Sequence, residues 1–195
     1  MTRTCRLERK TTETQIKVEL NLDGQGQADI NTGIAFLDHM LTLFCVHGRF
    51  DLDIQAKGDL EVDFHHTVED VALVLGEAVS TALDNRFGIR RYGFAVTPMD
   101  DALAEVAIDL SNRPFLVYQL PSELESVGRF DRGLAKEFFR AFAVKGGMNL
   151  HINVRYGENE HHVLESVYKS AGRALKQAVS IDTDQRGVRS SKGVL

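Results

Sequence analysis

The chain repeats itself, and an internal duplication constrains architecture more tightly than any single element can. Residues 37–54, LDHMLTLFCVHGRFDLDI, lie on residues 135–152, AKEFFRAFAVKGGMNLHI, at an offset of 98. Phe44 meets Phe142, Val46 meets Val144, Gly48 meets Gly146 and Leu52 meets Leu150, while His39 falls on Glu137. Upstream, residues 13–24 lie on residues 101–112 at an offset of 88, and Glu13 falls on Asp101. Downstream, HHTVED from His65 lies on HHVLES from His161 at an offset of 96. That register also matches Glu69 with Glu165, Gly76 with Gly172, Ala78 with Ala174 and Ala82 with Ala178. Apolar patterns of two amphipathic segments can align by chance, but a doubled HHxxE is far harder to obtain that way. The chain therefore reads as two halves of one design, residues 1–88 and 89–195, joined near residues 85–91.

Periodicity gives each half its elements. Ile16, Val18, Leu20 and Leu22 alternate with polar residues, as a strand with one buried face requires. Val106, Ile108 and Leu110 do the same, and residues 115–120 read as a partner strand after a turn at residues 111–114. Residues 34–46 and 134–145 contain no breaker and read as helices, ended by Gly48 and by Gly146 with Gly147. Strands follow at residues 50–56 and 148–156. A second helix closes each half, with apolar stripes through Val68, Val71, Leu75 and Val79, and through Val163, Val167, Ala171 and Ala174. The pattern predicts an α+β fold: two similar halves, each a mostly antiparallel sheet with two helices on one face.

Four of the seven histidines sit in the two pairs. On a helix, residues four apart share a face and neighbours diverge by about 100°. His65 and Glu69 can grip one metal ion, and His66 points elsewhere. His161, Glu165 and His162 repeat the arrangement. If the halves exchange their spare histidines, one site takes His65, Glu69 and His162, and the other takes His161, Glu165 and His66. The matched pair upstream then adds Glu137 to the first and His39 to the second. Imidazole and carboxylate without thiolate suit Mn, Fe or Zn. The plainer alternative is that the pairs are only polar helix starts, and the matched glutamates argue against it.

Composition narrows the classes. A net charge of −5 leaves no basic footprint for nucleic acid. No apolar run approaches the ~18 residues of a membrane span, and the N-terminus lacks the apolar core of a secretory signal. Cys5 and Cys45 fit no CxxC pattern and read as reduced thiols of a cytoplasmic protein. A metal-storage protein would explain the ligands; a dinuclear hydrolase would hold a water nucleophile at coordination positions that an octahedral metal such as Mn leaves open, although hydrolases usually need bridging carboxylates.

The stretches TGIAFLDHML, HGRFDL, GDLEVDFHHTVED, GIRRYGFAVTPMDDAL, DLSNRPFL, EFFRAFA, LHI, HHVLES and SSKGVL span nearly the whole chain. Together they resemble the imidazoleglycerol-phosphate dehydratase family. The resemblance implies a carbon–oxygen hydro-lyase of histidine biosynthesis that converts D-erythro-imidazole glycerol phosphate to imidazole acetol phosphate. It implies paired Mn²⁺ sites, two per subunit, shared between subunits of a homo-oligomeric shell of about 24 chains, with no nucleic-acid or membrane partner. The substrate ring, held as imidazolate between two metals, would expel hydroxide through a diazafulvene-like intermediate. The resemblance makes Glu13 the first choice for handling protons. Glu165 is a ligand that can also take part, and His47 and Asp100 are weaker candidates for relaying protons, His47 reading otherwise as a helix-end histidine near Gly48. It assigns the phosphate to Arg91, Arg113, Lys169, Ser191 and Lys192, with the tail ordering on substrate. Many relatives carry histidine where this chain has Glu137, a position a carboxylate can fill. His151, opposite Asp53 in the repeat, reads as structural.

Overall fold

The structure is a computed structural model and describes residues 3–121, 130, 132–184 and 187–190. The first half runs β1 (Thr4–Lys10), β2 (Thr14–Asn21), β3 (Ala28–Asn31), α1 (Ala35–Gly48), β4 (Asp51–Gly58) and α2 (His65–Leu83). The second repeats the order: β5 (Tyr92–Met99), β6 (Ala102–Asp109), β7 (Phe115–Gln119), α3 (Arg132–Gly146), β8 (Asn149–Tyr156) and α4 (Glu160–Val179). The two sheets have equivalent strand orders, β1-β2-β4-β3 and β5-β6-β8-β7. In each, the hairpin and the central pair are antiparallel and the last strand joins in parallel.

The expected strand at residues 115–120 forms, but it does not pair with the strand before it. β7 lies parallel to β8, with Leu116 opposite Leu150. β6 already has two neighbours, β5 and β8, so its edges are taken. Three strands carry little period-2 signal. β1 is an edge strand whose inward positions, Cys5, Leu7 and Arg9, are only half-buried. β3 is four residues long and largely exposed. β5 inverts the usual alternation: Gly93, Ala95 and Thr97 face inward, while Tyr92, Phe94 and Val96 are exposed. The inward residues are small because α4 lies close; a Cβ at Gly93 would stand 1.9 Å from the Ala174 carbonyl oxygen.

Each sheet buries one face under its own helices. α2 covers β1 and β2, and α4 covers β5 and β6. The helices then cross between halves, α1 against α4 and α2 against α3. The core runs continuously through both halves. Phe44 of α1 meets Phe142 of α3 edge-on at 5.9 Å, and Tyr168 of α4 packs on Phe139 at 4.8 Å. Among the described residues, no helix is long and apolar enough to cross a membrane.

The crossings are backbone-to-backbone. A Cβ on Gly172 would lie 2.3 Å from the Phe44 carbonyl oxygen and 3.1 Å from the Gly48 nitrogen. A Cβ on Gly76 would lie 2.6 Å from the Phe142 carbonyl oxygen and 3.0 Å from the Gly146 nitrogen. These are one contact made twice, related by the repeat offsets. Gly48 therefore does not end α1 as a left-handed stop. That conformation falls on Arg49, φ 53°, whose amide donates to the carbonyls of Cys45 and Val46. In the second half Gly147, φ 60°, takes it.

Gly172→Ala sets two effects against each other. Helix propensity favours alanine by about 1 kcal/mol. Overpacking against backbone has no rotamer to relieve it and costs about 1–3 kcal/mol or more. Thermal unfolding should show a net loss of stability, and a raised Tm would mean that the crossing has slack.

Candidate functional site

Each histidine pair occupies the first turn of its helix. Asn159 caps α4, its side-chain oxygen accepting the amides of His161 at 2.9 Å and His162 at 3.3 Å. Asp63 Oδ1 accepts the His65 amide at 2.7 Å at the start of α2. The neighbouring imidazoles diverge as helix geometry requires, their planes 82° apart for His65 and His66 and 85° apart for His161 and His162. One member of each pair turns to the glutamate four residues on. His161 Nε2 lies 2.9 Å from Glu165 Oε1, and His65 Nε2 lies 3.6 Å from Glu69 Oε2.

The α1–α4 crossing brings in His39, whose Nε2 lies 2.8 Å from Glu165 Oε1. The ligand atoms of His39, His161 and Glu165 all lie within 4.8 Å of one another. Lys169 Nζ meets the other carboxylate oxygen of Glu165 at 2.5 Å. Burial works to raise the Glu165 pKa, but hydrogen bonds from Lys169, His39 and His161 overcome it and hold the carboxyl at about 2. The anionic form, which these contacts favour, faces two imidazoles.

The α2–α3 crossing builds the counterpart. Glu137 of α3 and Glu69 of α2 are joined through Arg140, whose Nε meets Glu137 Oε2 and whose Nη2 meets Glu69 Oε1, both at 2.7 Å. The Glu137 hydrogen bond, with help from Glu69, raises the Arg140 pKa further.

The exchange of spare histidines does not occur within one chain. Among the described residues, the one group of three converging ligands is His39, His161 and Glu165. His66 and His162 each face carboxylates of their own half. His66 Nδ1 lies 3.0 Å from Asp59 Oδ2 and 3.9 Å from Glu13 Oε2. The Asp59 hydrogen bond chiefly raises its pKa. His162 Nδ1 lies 2.5 Å from Asp101 Oδ1, and its Nε2 is 3.5 Å from Asp100 Oδ2. Glu13 and Asp101, matched in the repeat, thus sit at matched hairpin turns, each against the second histidine of its half. Asp100 holds a left-handed backbone, φ 46°.

The remaining candidates are dispersed. His47 lies in the last turn of α1, its pKa lowered by burial and then by the charges of Lys169 and Arg173. Arg91 is buried and fully engaged. It forks onto Asp109 at 2.6 and 3.1 Å and donates to the Arg189 carbonyl at 2.6 Å. Arg113 is exposed in the turn between β6 and β7. Ser191 and Lys192 lie outside the described residues. His151 is exposed on β8.

Sequence reasoning missed Asp59, Asp101 and Arg140. Asp101 had a signal, since the repeat lays it on Glu13. Asp59 and Arg140 had none, because their partners are set by tertiary contact.

A sequence model of the imidazoleglycerol-phosphate dehydratase family matches residues 32–175. The chain belongs to that family. The imidazoleglycerol-phosphate dehydratase of Desulfosudis oleivorans is 59% identical over 100% of both chains. That of Syntrophobacter fumaroxidans is 56% identical over 97% of this chain and 96% of its own. The crystal structure of imidazoleglycerol-phosphate dehydratase from Staphylococcus aureus superposes with a TM-score of 0.82 at 36% identity, covering 92% of this chain and 99% of that one. The IGPD structure from Pyrococcus furiosus gives 0.84 at 38% identity, covering 97% and 100%. Membership of this dehydratase family makes the chain a carbon–oxygen hydro-lyase.

Asp101 anchors the α4 end of this site. Besides His162, it accepts the amides of Glu158 at 2.6 Å and Asn159 at 3.0 Å. The Asn159 amide, then His162 and the Glu158 amide, hold its carboxyl well below the usual carboxylate range. A depressed carboxylate stabilises the fold above its unfolded pKa of about 4, and that contribution is lost as pH falls below it. Asp101→Asn should therefore lower the Tm at about pH 7, and calorimetry should show the gap to wild type narrowing below about pH 4. A gap that stays constant into acid would contradict this role.

Proposed function

We propose that this chain dehydrates D-erythro-imidazole glycerol phosphate to imidazole acetol phosphate in histidine biosynthesis, using Mn²⁺ at two sites per subunit. The observation that carries the reading is the convergence of His39, His161 and Glu165 at one end of the helix layer, with a counterpart formed by His65, Glu69 and Glu137. The donor set is imidazole and carboxylate throughout, and Cys45 is buried with its thiol on the carbonyls of Gln27 and Phe50. Such a set fits a metal of Mn, Fe or Zn type. Bound there, the ions would act as template and Lewis acid toward the two ring nitrogens of the substrate.

The hydrogen lost in this reaction sits on a carbon with no neighbouring carbonyl, so it is barely acidic. An electron-rich ring changes that by expelling hydroxide from the adjacent carbon to give a diazafulvene-like species, which acidifies the next C–H. The chain's own residues then move the protons. Glu13, exposed at the β1–β2 turn 3.9 Å from His66, would take one. Asp100 at the matched turn, 3.5 Å from His162, and His47 in the last turn of α1 are further candidates for moving protons, with Glu165 in the ligand cluster. Lys169, Arg113, Arg91, Ser191 and Lys192 would receive the phosphate. Arg91 must share its guanidinium with Asp109 to do so.

A homo-oligomeric shell of about 24 subunits is supported by two features. Among the described residues, His66 and His162 join no cluster of three converging ligands within their own chain. The outward stripe of Tyr92, Phe94 and Val96, with Phe115 and Tyr156 also exposed, is an apolar face of the kind that protein interfaces cover. A cytoplasmic location, with neither nucleic acid nor membrane as partner, fits the acidic net charge of −5.

Metal-free protein titrated with Mn²⁺ should gain activity on imidazole glycerol phosphate and saturate near about two ions per chain. Glu165→Gln should cut kcat by about a thousandfold or more while the protein stays folded. Tight metal binding without turnover would return the chain to the storage reading.

A further inference from the structure

The two ligand clusters are pseudo-equivalent by sequence but unequal in structure. In the second, His39, His161 and Glu165 meet directly, and the neighbouring cation, Lys169, holds the outer oxygen of Glu165 and leaves Oε1 to the imidazoles. In the first, the two carboxylates do not meet. Arg140 stands between them, one nitrogen on Glu137 and another on Glu69. The residue matched to Arg140 in the repeat is Thr42, which spends its hydroxyl on the Asp38 carbonyl of its own helix at 2.8 Å. Nothing comparable enters the second cluster from that position.

Two carboxylates brought together without a counter-charge repel, and each resists ionising beside the other. A guanidinium is always charged and its fork suits carboxylates. Arg140 thus does electrostatically what a divalent ion would do, but with a side chain 47% exposed and free to leave toward solvent. An ion entering this cluster must first break two charge-assisted hydrogen bonds.

We propose that Arg140 is a displaceable internal cation that holds the first cluster together without metal and makes it the weaker of two metal sites. The proposal rests on the reading of both clusters as metal sites. It gives the chain an ordered loading, with His39, His161 and Glu165 filling before His65, Glu69 and Glu137.

The test is Mn²⁺ binding to the intact, metal-free assembly, followed by calorimetry and by the electron spin resonance of free Mn²⁺. Wild type should show two affinity classes, with Glu69→Gln removing the weaker and Glu165→Gln the tighter. Arg140→Thr, which copies the matched position, should tighten the weaker class by about tenfold. It should also lower the Tm of the metal-free protein and enlarge the rise in Tm on adding Mn²⁺. Arg140→Gln gives the same readout if the threonine variant folds poorly. A weaker class that is unchanged or weakened in these variants overturns the role of Arg140 while leaving the metal sites standing. Failure of wild type and variants alike to bind Mn²⁺ overturns both.

Discussion

Two helix crossings at backbone contact hold the rest of the structure in place. Gly172 lets α4 reach the backbone of α1, and Gly76 lets α2 reach the backbone of α3. The histidine pairs lie on α2 and α4, while their partners His39 and Glu137 lie on α1 and α3. Each candidate ligand cluster is thus assembled across a boundary between halves, and its spacing is set by glycine. A side chain in the crossing would push the helices apart and pull His39 away from its 2.8 Å contact with Glu165.

Within that frame, helix geometry divides each HH pair between two duties. His65 and His161 point along their own helices to a glutamate, whereas His66 turns to Asp59 after β4, with Glu13 of the β1–β2 turn beyond it, and His162 turns to Asp101 of the β5–β6 turn. The turn carboxylates, Asp101 above all, tie up one ring nitrogen of the imidazole they face. This is how proteins commonly set the tautomer and aim of an imidazole ligand. Glu165 reaches the same end by other means, kept ionised in a buried setting by the cation and imidazoles around it.

The sequence disclosed the duplication, the main strands and the four helices of the described residues, because a buried face imposes a period that survives in the residues. It concealed β1 and β3, whose faces are barely buried, and β5, whose inward residues are small because a helix lies on them. It also concealed which strand β7 joins, since pairing order is decided by which edge is vacant. The site follows the same logic. His65 with Glu69 and His161 with Glu165 are local at four residues' spacing and were legible. Arg140 meets Glu69 across 71 residues, and Lys169 meets Met99 across 70; no spacing announces such contacts.

The crosswise packing carries a consequence for symmetry. A half-length chain of this pattern, meeting another copy of itself, would lay its first helix on the partner's last helix and make both crossings at once about a two-fold axis. Its two ligand clusters would then be identical by necessity, since one gene would write both. Joined in a single chain, they are free to drift apart, and they have: histidine at position 39 against glutamate at 137, threonine at 42 against arginine at 140. Under the proposed function, an imidazole substituted on one side presents two different nitrogens, and a tandem chain can meet each with its own chemistry where a symmetric pair could not.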